Sequence, residues 1–454
     1  MLYYPTHALP GRITIGNHSG IPLGQHNRLR LRIPVYYGWV IIFFGTLMML
    51  CSIPGQTMGV SVFTDRLILD LGLHRDQLSL TYLGGTLLSG LLLPRAGALL
   101  DRIGVQPMSL LAFGGLALSL LLMLGSTRMA AWSVFTGRPW LTGALAFFFF
   151  FGIRHFGQGQ LVLIARTCMG RWFDRRRGLA LGLSGAFVSL GFGSAPLVLH
   201  QLLQVFGFAG TLTGLAAILV LLAVPAWFIL RDSPEACGVP MEGRSGPDAA
   251  MSAETSLTGI TLQAARRQPV FWALVLTFCS HSLLITGLTF HLAAIGAAQQ
   301  VEAATAFSIF LPAAFCSVLS NLAGGYASDR ISLRWLLLLL AGGLLLTMYG
   351  LQYLDQPVWR HITAIAMGCA GGLFACLSSV AMPRLFGRRY LGSINGFTTA
   401  GMVLASAPAP WLFALLAGPA AWDRALSAMM LLPLLILAFT LVVRFPPGNG
   451  SPAS

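Results

Sequence analysis

The sequence predicts an all-α, polytopic membrane protein of twelve transmembrane helices arranged as two pseudo-symmetric six-helix bundles. Three observations predict it. Of 454 residues, 56% are hydrophobic and 9% charged, whereas a water-soluble domain carries roughly a quarter of its residues as charges. The apolar residues fall in blocks of about twenty or more, long enough at 1.5 Å per residue to cross a hydrocarbon core of about 30 Å. A single long polar segment, Arg231 to Gln268, divides these blocks six and six, and short motifs recur on either side of it.

Taken in order, the blocks place spans at about 36–57, 78–95, 106–125, 140–165, 178–203 and 208–230, then 270–292, 303–326, 333–354, 361–383, 391–416 and 423–443. The expected organisation is an N-terminal arm (1–35), a first bundle (36–230), a linker (231–268), a second bundle (269–444) and a short tail (445–454). The arm lacks an apolar signal region and carries Arg12, Arg28, Arg30 and Arg32, as a retained cytoplasmic segment would.

The basic residues are twenty-eight Arg and no Lys, which excludes lysine nucleophile or Schiff-base chemistry. They are dispersed in short interhelical segments rather than gathered on one face, so a nucleic-acid partner is not expected despite the +14 net charge. With the N-terminus placed in the cytoplasm, twenty-one Arg fall on that side and six on the other, leaving Arg154 inside a span. Both termini are therefore expected in the cytoplasm, with the chain in the plasma (inner) membrane. The seven Cys form no CxxC pair and lie mostly inside apolar blocks, as packing residues do.

The internal repeat supports the division. Gly97-Ala-Leu-Leu-Asp101-Arg102-Ile-Gly104 follows the second span, and Gly325-Tyr-Ala-Ser-Asp329-Arg330-Ile331 follows the eighth, 228 residues on. Arg171-Trp-Phe-Asp-Arg-Arg-Arg177 follows the fourth span, and Arg384-Leu-Phe-Gly-Arg-Arg389 follows the tenth. A parallel repeat with a site between its halves is a transporter architecture.

These residues resemble the major facilitator superfamily, whose loop between helices two and three carries G-x-L-x-D-R-x-G. Gly97, Leu99, Asp101, Arg102 and Gly104 match it, while Val105, Gln106 and Pro107 replace the basic tail. The run Arg171 to Ala180 and the glycine-rich helix after it resemble the monocarboxylate and oxalate/formate porter branch. The resemblance implies a gate latch at Asp101, Arg102, Asp329 and Arg330, with Arg166 or Arg171 as partner, and it places the fourth helix beside a central cavity.

Arg154 is the most informative single residue. It follows Phe147 to Phe151 about midway along its span, where an Arg costs about 3 kcal/mol on insertion scales, an amount several Phe and Leu offset. Gln158, four residues on, shares its α-helical face. A guanidinium binds a carboxylate through paired hydrogen bonds, so a small organic anion such as a monocarboxylate is the expected solute. Oxalate-type porters are expected to supply cations from the eighth and eleventh helices; neither span has one here, which favours a monoanion. Further candidates for the solute are Gln56 and Thr57, at a Pro54-Gly55 interruption of the first span, together with His281 in the seventh and Asn395 in the eleventh. No acid lies in mid-span, so His155 and His281 are the candidates for proton coupling.

The expected partners are an anionic small molecule, a coupling proton and lipid, with the monomer as working unit and no cofactor or metal. Enzyme chemistry is argued against by the lack of H-E-x-x-H, a nucleophile elbow or paired acids in the spans. Drug-type efflux is an alternative solute class. A membrane sensor or scaffold is a different class and would need an added signalling domain, for which the linker of about 38 residues is too short.

Overall fold

Pro54-Gly55 breaks the first span where the sequence places a break. Pro lacks an N–H and cannot continue an α-helical ladder, so helix α1a (Gly38–Cys51) gives way to a 3-10 turn at Ile53–Gly55 and an extended Gln56 before α1b (Thr57–Leu71). The computed structural model describes residues 36–135, 140–174, 176–237, 239, 258–417 and 422–445. The arm with its four Arg, Arg138, Arg175, Arg244 and the tail beyond Phe445 lie outside the described residues.

After α1 come α2 (Arg75–Ile103) and α3 (Val105–Phe135). The fourth span is α4a (Trp140–Gly152), a π-helical segment (Ile153–Leu161) and α4b (Val162–Trp172). The 53-residue stretch Arg177–Ile229 is two helices, α5 (177–206) and α6 (208–229), because Gly207 adopts φ 67°, a left-handed conformation open chiefly to glycine. Beyond the linker come α7 (Pro269–Ala298), α8 (Phe310–Ser328), α9 (Leu333–Gly350) and α10 (Pro357–Phe386). The eleventh span is α11a (Leu391–Ser406) and α11b (Ala409–Ala417), and the twelfth is α12a (Trp422–Met429) and α12b (Leu431–Val442).

Among the described residues eleven helical stretches are long and apolar enough to cross a membrane, and the break at Gly207 makes them twelve spans. Among the described residues there is no strand, only an isolated bridge between Gly259 and Gly387. Large apolar side chains stand exposed, among them Val442 at 82%, Leu311 at 81% and Phe290 at 71%, as a lipid-facing surface requires. The backbone satisfies itself within helices, the arrangement hydrocarbon demands. The protein is a multi-pass membrane protein.

Two large clusters of buried apolar side chains form most of the interior, with a small third one of Leu93, Ala400 and Val403. One draws on Tyr37 to Cys237 and takes in Cys376 and Val380; the other runs from Ala265 to Val443. Packing between them runs mainly through α2 with α11a, α5 with α8, and α4b with α10 and α11a. Glycines set these crossings: a Cβ on Gly97 would overlap the Gly392 carbonyl, and one on Gly178 would overlap that of Gly325. Backbone meets backbone there, as in small-residue packing of membrane helices.

One boundary moves with consequences. The fourth span runs to Trp172 rather than 165, so Arg166 and Arg171 are helical residues inside it and not loop charges. Their neighbours explain it: Ala165, Thr167, Cys168, Met169 and Trp172 are buried, and that packing outweighs the two charges that marked the end in sequence.

Candidate functional site

The π segment makes the site's geometry. Its turns close on residue i+5 rather than i+4, which resets the register of its side chains. His155 meets Gln160, five residues on, through a hydrogen bond of 3.0 Å. The His155 ring stacks on Phe151 at 5.3 Å. Glycine allows the segment to touch the break in α1: a Cβ on Gly55 would overlap the Ile153 carbonyl and lie 2.9 Å from Gly157 Cα.

Arg154 exploits that contact. It is 3% exposed, and its Nη1 donates to the Gly55 carbonyl at 3.1 Å and to Thr57 Oγ1 at 3.4 Å. The guanidinium lies 5.2 Å from the centroid of the Tyr82 ring on α2, and Tyr82 Oη is 3.2 Å from Thr57 Oγ1. All these partners are neutral. Nε is enclosed without a partner, and among the described residues no acid pairs with Arg154. A guanidinium stays charged at any physiological pH, so a positive charge sits in the interior without a counter-ion.

The other solute candidates are more scattered. Gln56 turns back to donate to Ser52 Oγ at 2.9 Å, and Gln158 is half-buried. His281 is buried and stacked on Phe374 at 3.9 Å, and neither ring nitrogen has a partner. Asn395 donates to Thr167 Oγ1 at 3.1 Å, bridging α11a to α4b. Arg154 and Thr57 are thus brought together, with Gln56 beside them in the chain, while His281 and Asn395 stand apart.

A second constellation joins the two clusters at the end carrying Asp101. Asp101 Oδ1 accepts from Arg171 Nη2 at 2.7 Å and from Gly392 N at 2.9 Å; Oδ2 accepts from Ser393 N at 2.7 Å and Ser393 Oγ at 2.6 Å. The carboxylate therefore meets amides in the first turn of α11a, which have no intrahelical acceptor and lie at the positive end of the helix dipole. Asp329 does the same at α5, accepting from Gly178 N at 2.9 Å and Leu179 N at 3.3 Å. Burial pushes the Asp329 carboxyl above the usual carboxylate range, against the lowering effect of those amides and of Arg384 and Arg177.

Arg171 is shared. Its Nη1 lies 3.6 Å from Asp232, whose Oδ1 also accepts from Val105 N at 2.8 Å. Gly104, at φ 87°, has no room for a Cβ, since Asp232 Oδ2 is 2.7 Å away. Arg388 donates to the Arg171 carbonyl at 2.7 Å and pairs with Glu235 at 2.6 Å. Of the other expected latch residues, Arg102 and Arg330 are both exposed, and Arg330 folds over its own helix onto Tyr326 at 3.5 Å. The bridging charge comes from the Asp of each motif, because the following residue on a helix end turns toward solvent.

Sequence reasoning missed Asp232, Glu235, Arg388, Tyr82 and the capped amides. A signal existed for the last: in both halves a basic run is followed within three residues by a Gly in the first turn of a helix, Arg177-Gly178 and Arg389-Tyr390-Leu391-Gly392. Among the described residues no group of three His, Cys, Asp or Glu converges as metal ligands.

Residues 40–410, spanning this repeat of helices and both Asp loops, match the sequence profile of the Major Facilitator Superfamily. The chain belongs to that superfamily. It is a transporter by family and fold, not an enzyme. A protein named "Probable nitrate/nitrite transporter NarK2" from Mycobacterium tuberculosis is 25% identical over 309 residues, 66% of this chain and 72% of that one. An "Uncharacterized 38 kDa protein in 23S RNA operon" of Thermoproteus tenax is 25% identical over 287 residues, 62% and 68% of the two chains. Solved superfamily-type folds include a bacterial homologue of the iron transporter ferroportin in an outward-facing state (TM-score 0.67, 15% identity, 88% of this chain and 98% of that one). The human organic anion transporter MFSD10 superimposes at TM-score 0.57 with 18% identity, over 90% of this chain and 100% of that one. These structural likenesses carry the fold alone.

Proposed function

We propose that the chain carries a small planar monoanion, a monocarboxylate or a nitrate-type oxyanion, by alternating access of residues 36–230 against 269–444. The carrying observation is Arg154: a permanent interior charge with only neutral partners, beside a broken helix. Nitrate and carboxylate present the same edge of two oxygens, which the guanidinium fork meets with paired hydrogen bonds. The name of one similar protein, a nitrate/nitrite transporter, supports an anion. With the Arg-rich loops in the cytoplasm of the plasma membrane, the Asp101 and Asp329 contacts form a cytoplasmic latch, and the described conformation is closed on that side. His155 and His281 are the proposed proton carriers of a symport, and the monomer is the working unit.

The test is thermal stabilisation of purified protein by formate, lactate, nitrate and nitrite, followed by flux in proteoliposomes with and without a pH gradient. One of these monoanions is expected to stabilise the protein and be transported, and Arg154→Gln to weaken both by about tenfold or more, the worth of one charge-assisted contact. Unchanged affinity in a folded Arg154→Gln protein refutes the assignment.

A further inference from the structure

Arg154 is not the sole cation at membrane depth. Arg166 lies on α4b, inside the span Trp140–Trp172, three turns nearer the latch. It is half-buried, and its Nε is enclosed without a partner. The acids of this end are taken: Asp101 and Asp232 by Arg171, Glu235 by Arg388, Asp174 by Arg177, and Asp329 by the first-turn amides of α5. Among the described residues none of them pairs with Arg166.

Its direction follows from its neighbours on an α-helical stretch. Gly170, one turn on and so on the same face, looks at Leu391 and Pro383: a Cβ there would lie 3.1 Å and 3.2 Å from their side chains. Thr167, the next residue, is tied to Asn395 of α11a. By contrast Cys168 bonds to the Arg231 carbonyl and Met169 packs on Gly45, on other faces. Arg166 therefore looks across the interface between the two halves, toward α10 and α11a, and its partial exposure leaves it in reach of whatever enters there.

We infer that Arg166 is a second anion station on the fourth helix, at the end nearer the latch, receiving the monoanion that Arg154 binds first. The inference rests on the reading of Arg154 given above. The two guanidinium groups are twelve residues apart, about 18 Å along an α-helix and somewhat less through the π segment. Neither is cancelled by an acid, so an anion leaving one exchanges a positive partner for another rather than crossing bare low-dielectric protein. Arg166 stands five residues from Arg171, so release of the Asp101 contact opens the second station to the latch side.

The experiment compares wild type, Arg154→Gln, Arg166→Gln and Arg166→Lys, each full length, in two assays with nitrate and formate as probes. Thermal stabilisation reads binding in the latch-closed state, and proteoliposome flux reads passage. Arg166→Gln is expected to keep its anion-dependent stabilisation while flux falls about tenfold or more, the worth of one charge-assisted contact. Arg166→Lys, which keeps the charge but not the fork, recovers part of that flux. Wild-type flux in Arg166→Gln, or equal loss in a stably folded Arg166→Lys, overturns the inner station while the reading of Arg154 stands. Stabilisation that survives in Arg154→Gln overturns both, since the inner station is filled from Arg154.

Discussion

Asp101→Ala removes the most connected side chain between the two halves. Its carboxylate accepts four hydrogen bonds, from Arg171 Nη2, Gly392 N, Ser393 N and Ser393 Oγ. The Arg171–Asp101 pair is well shielded, with side chains 5% and 9% exposed, so solvent screening removes little. Deleting one member of such a buried pair costs about 3–5 kcal/mol, because the partner is left uncompensated. Arg171 keeps Asp232 at 3.6 Å, which puts the expected loss toward the lower figure. At about 1.4 kcal/mol per decade, the latch-closed state becomes roughly a hundredfold to a thousandfold less favoured. Hydrogen exchange resolved to the first turn of α11a is the assay: the Gly392 and Ser393 amides, now without an acceptor, should exchange faster by that order. The Gly178 and Leu179 amides, held by Asp329, report whether the second latch opens with the first. Unchanged protection at Gly392 and Ser393 in Asp101→Ala would refute the account of the carboxylate as a cap.

Three further outcomes follow from the same contacts. Gly97→Ala should destabilise the latch-closed state by about 1–3 kcal/mol, since the new Cβ overlaps the Gly392 carbonyl and overpacking of a tight contact costs that much; melting temperature and exchange at α11a measure it. Asn321→Leu should stabilise the same state by about 1–3 kcal/mol and slow transport. The amide is fully buried against Gly182 and Gly185 with both polar atoms unpaired, and an apolar isostere relieves that penalty. The Asp329 latch should strengthen on acidification. Burial raises its carboxyl in this state, so its contribution is full below the ordinary Asp value of about 4 and is lost as pH rises through the raised value. Arg177 and Arg384, the charges facing it, oppose the shift without reversing it. Protection of Gly178 and Leu179, corrected for intrinsic exchange, should show this trend in wild type and not in Asp329→Asn; an opposite trend in wild type would sink it.

The helical class, the membrane as solvent and the number of spans were legible from composition and block length, because hydrocarbon permits few alternatives. The helix break at Pro54-Gly55 was legible for the same kind of local reason: a missing N–H and a missing Cβ act within one turn. The sequence also singles out Arg154, since a charge just after five Phe demands a polar neighbour wherever the chain folds.

Tertiary structure alone decided the rest. The π turn at Ile153–Leu161 set the register in which His155 meets Gln160; periodicity cannot announce one extra residue per turn. The extension of α4b to Trp172 turned Arg166 from a loop charge into an interior one, because burial of its neighbours, not its own polarity, set the helix end. The partners of Asp101 lie at sequence separations of 70, 291 and 292 residues. Local sequence fixes which residues carry charge and which cap a helix; only the packing of distant helices brings a carboxylate to the helix N-terminus that satisfies it.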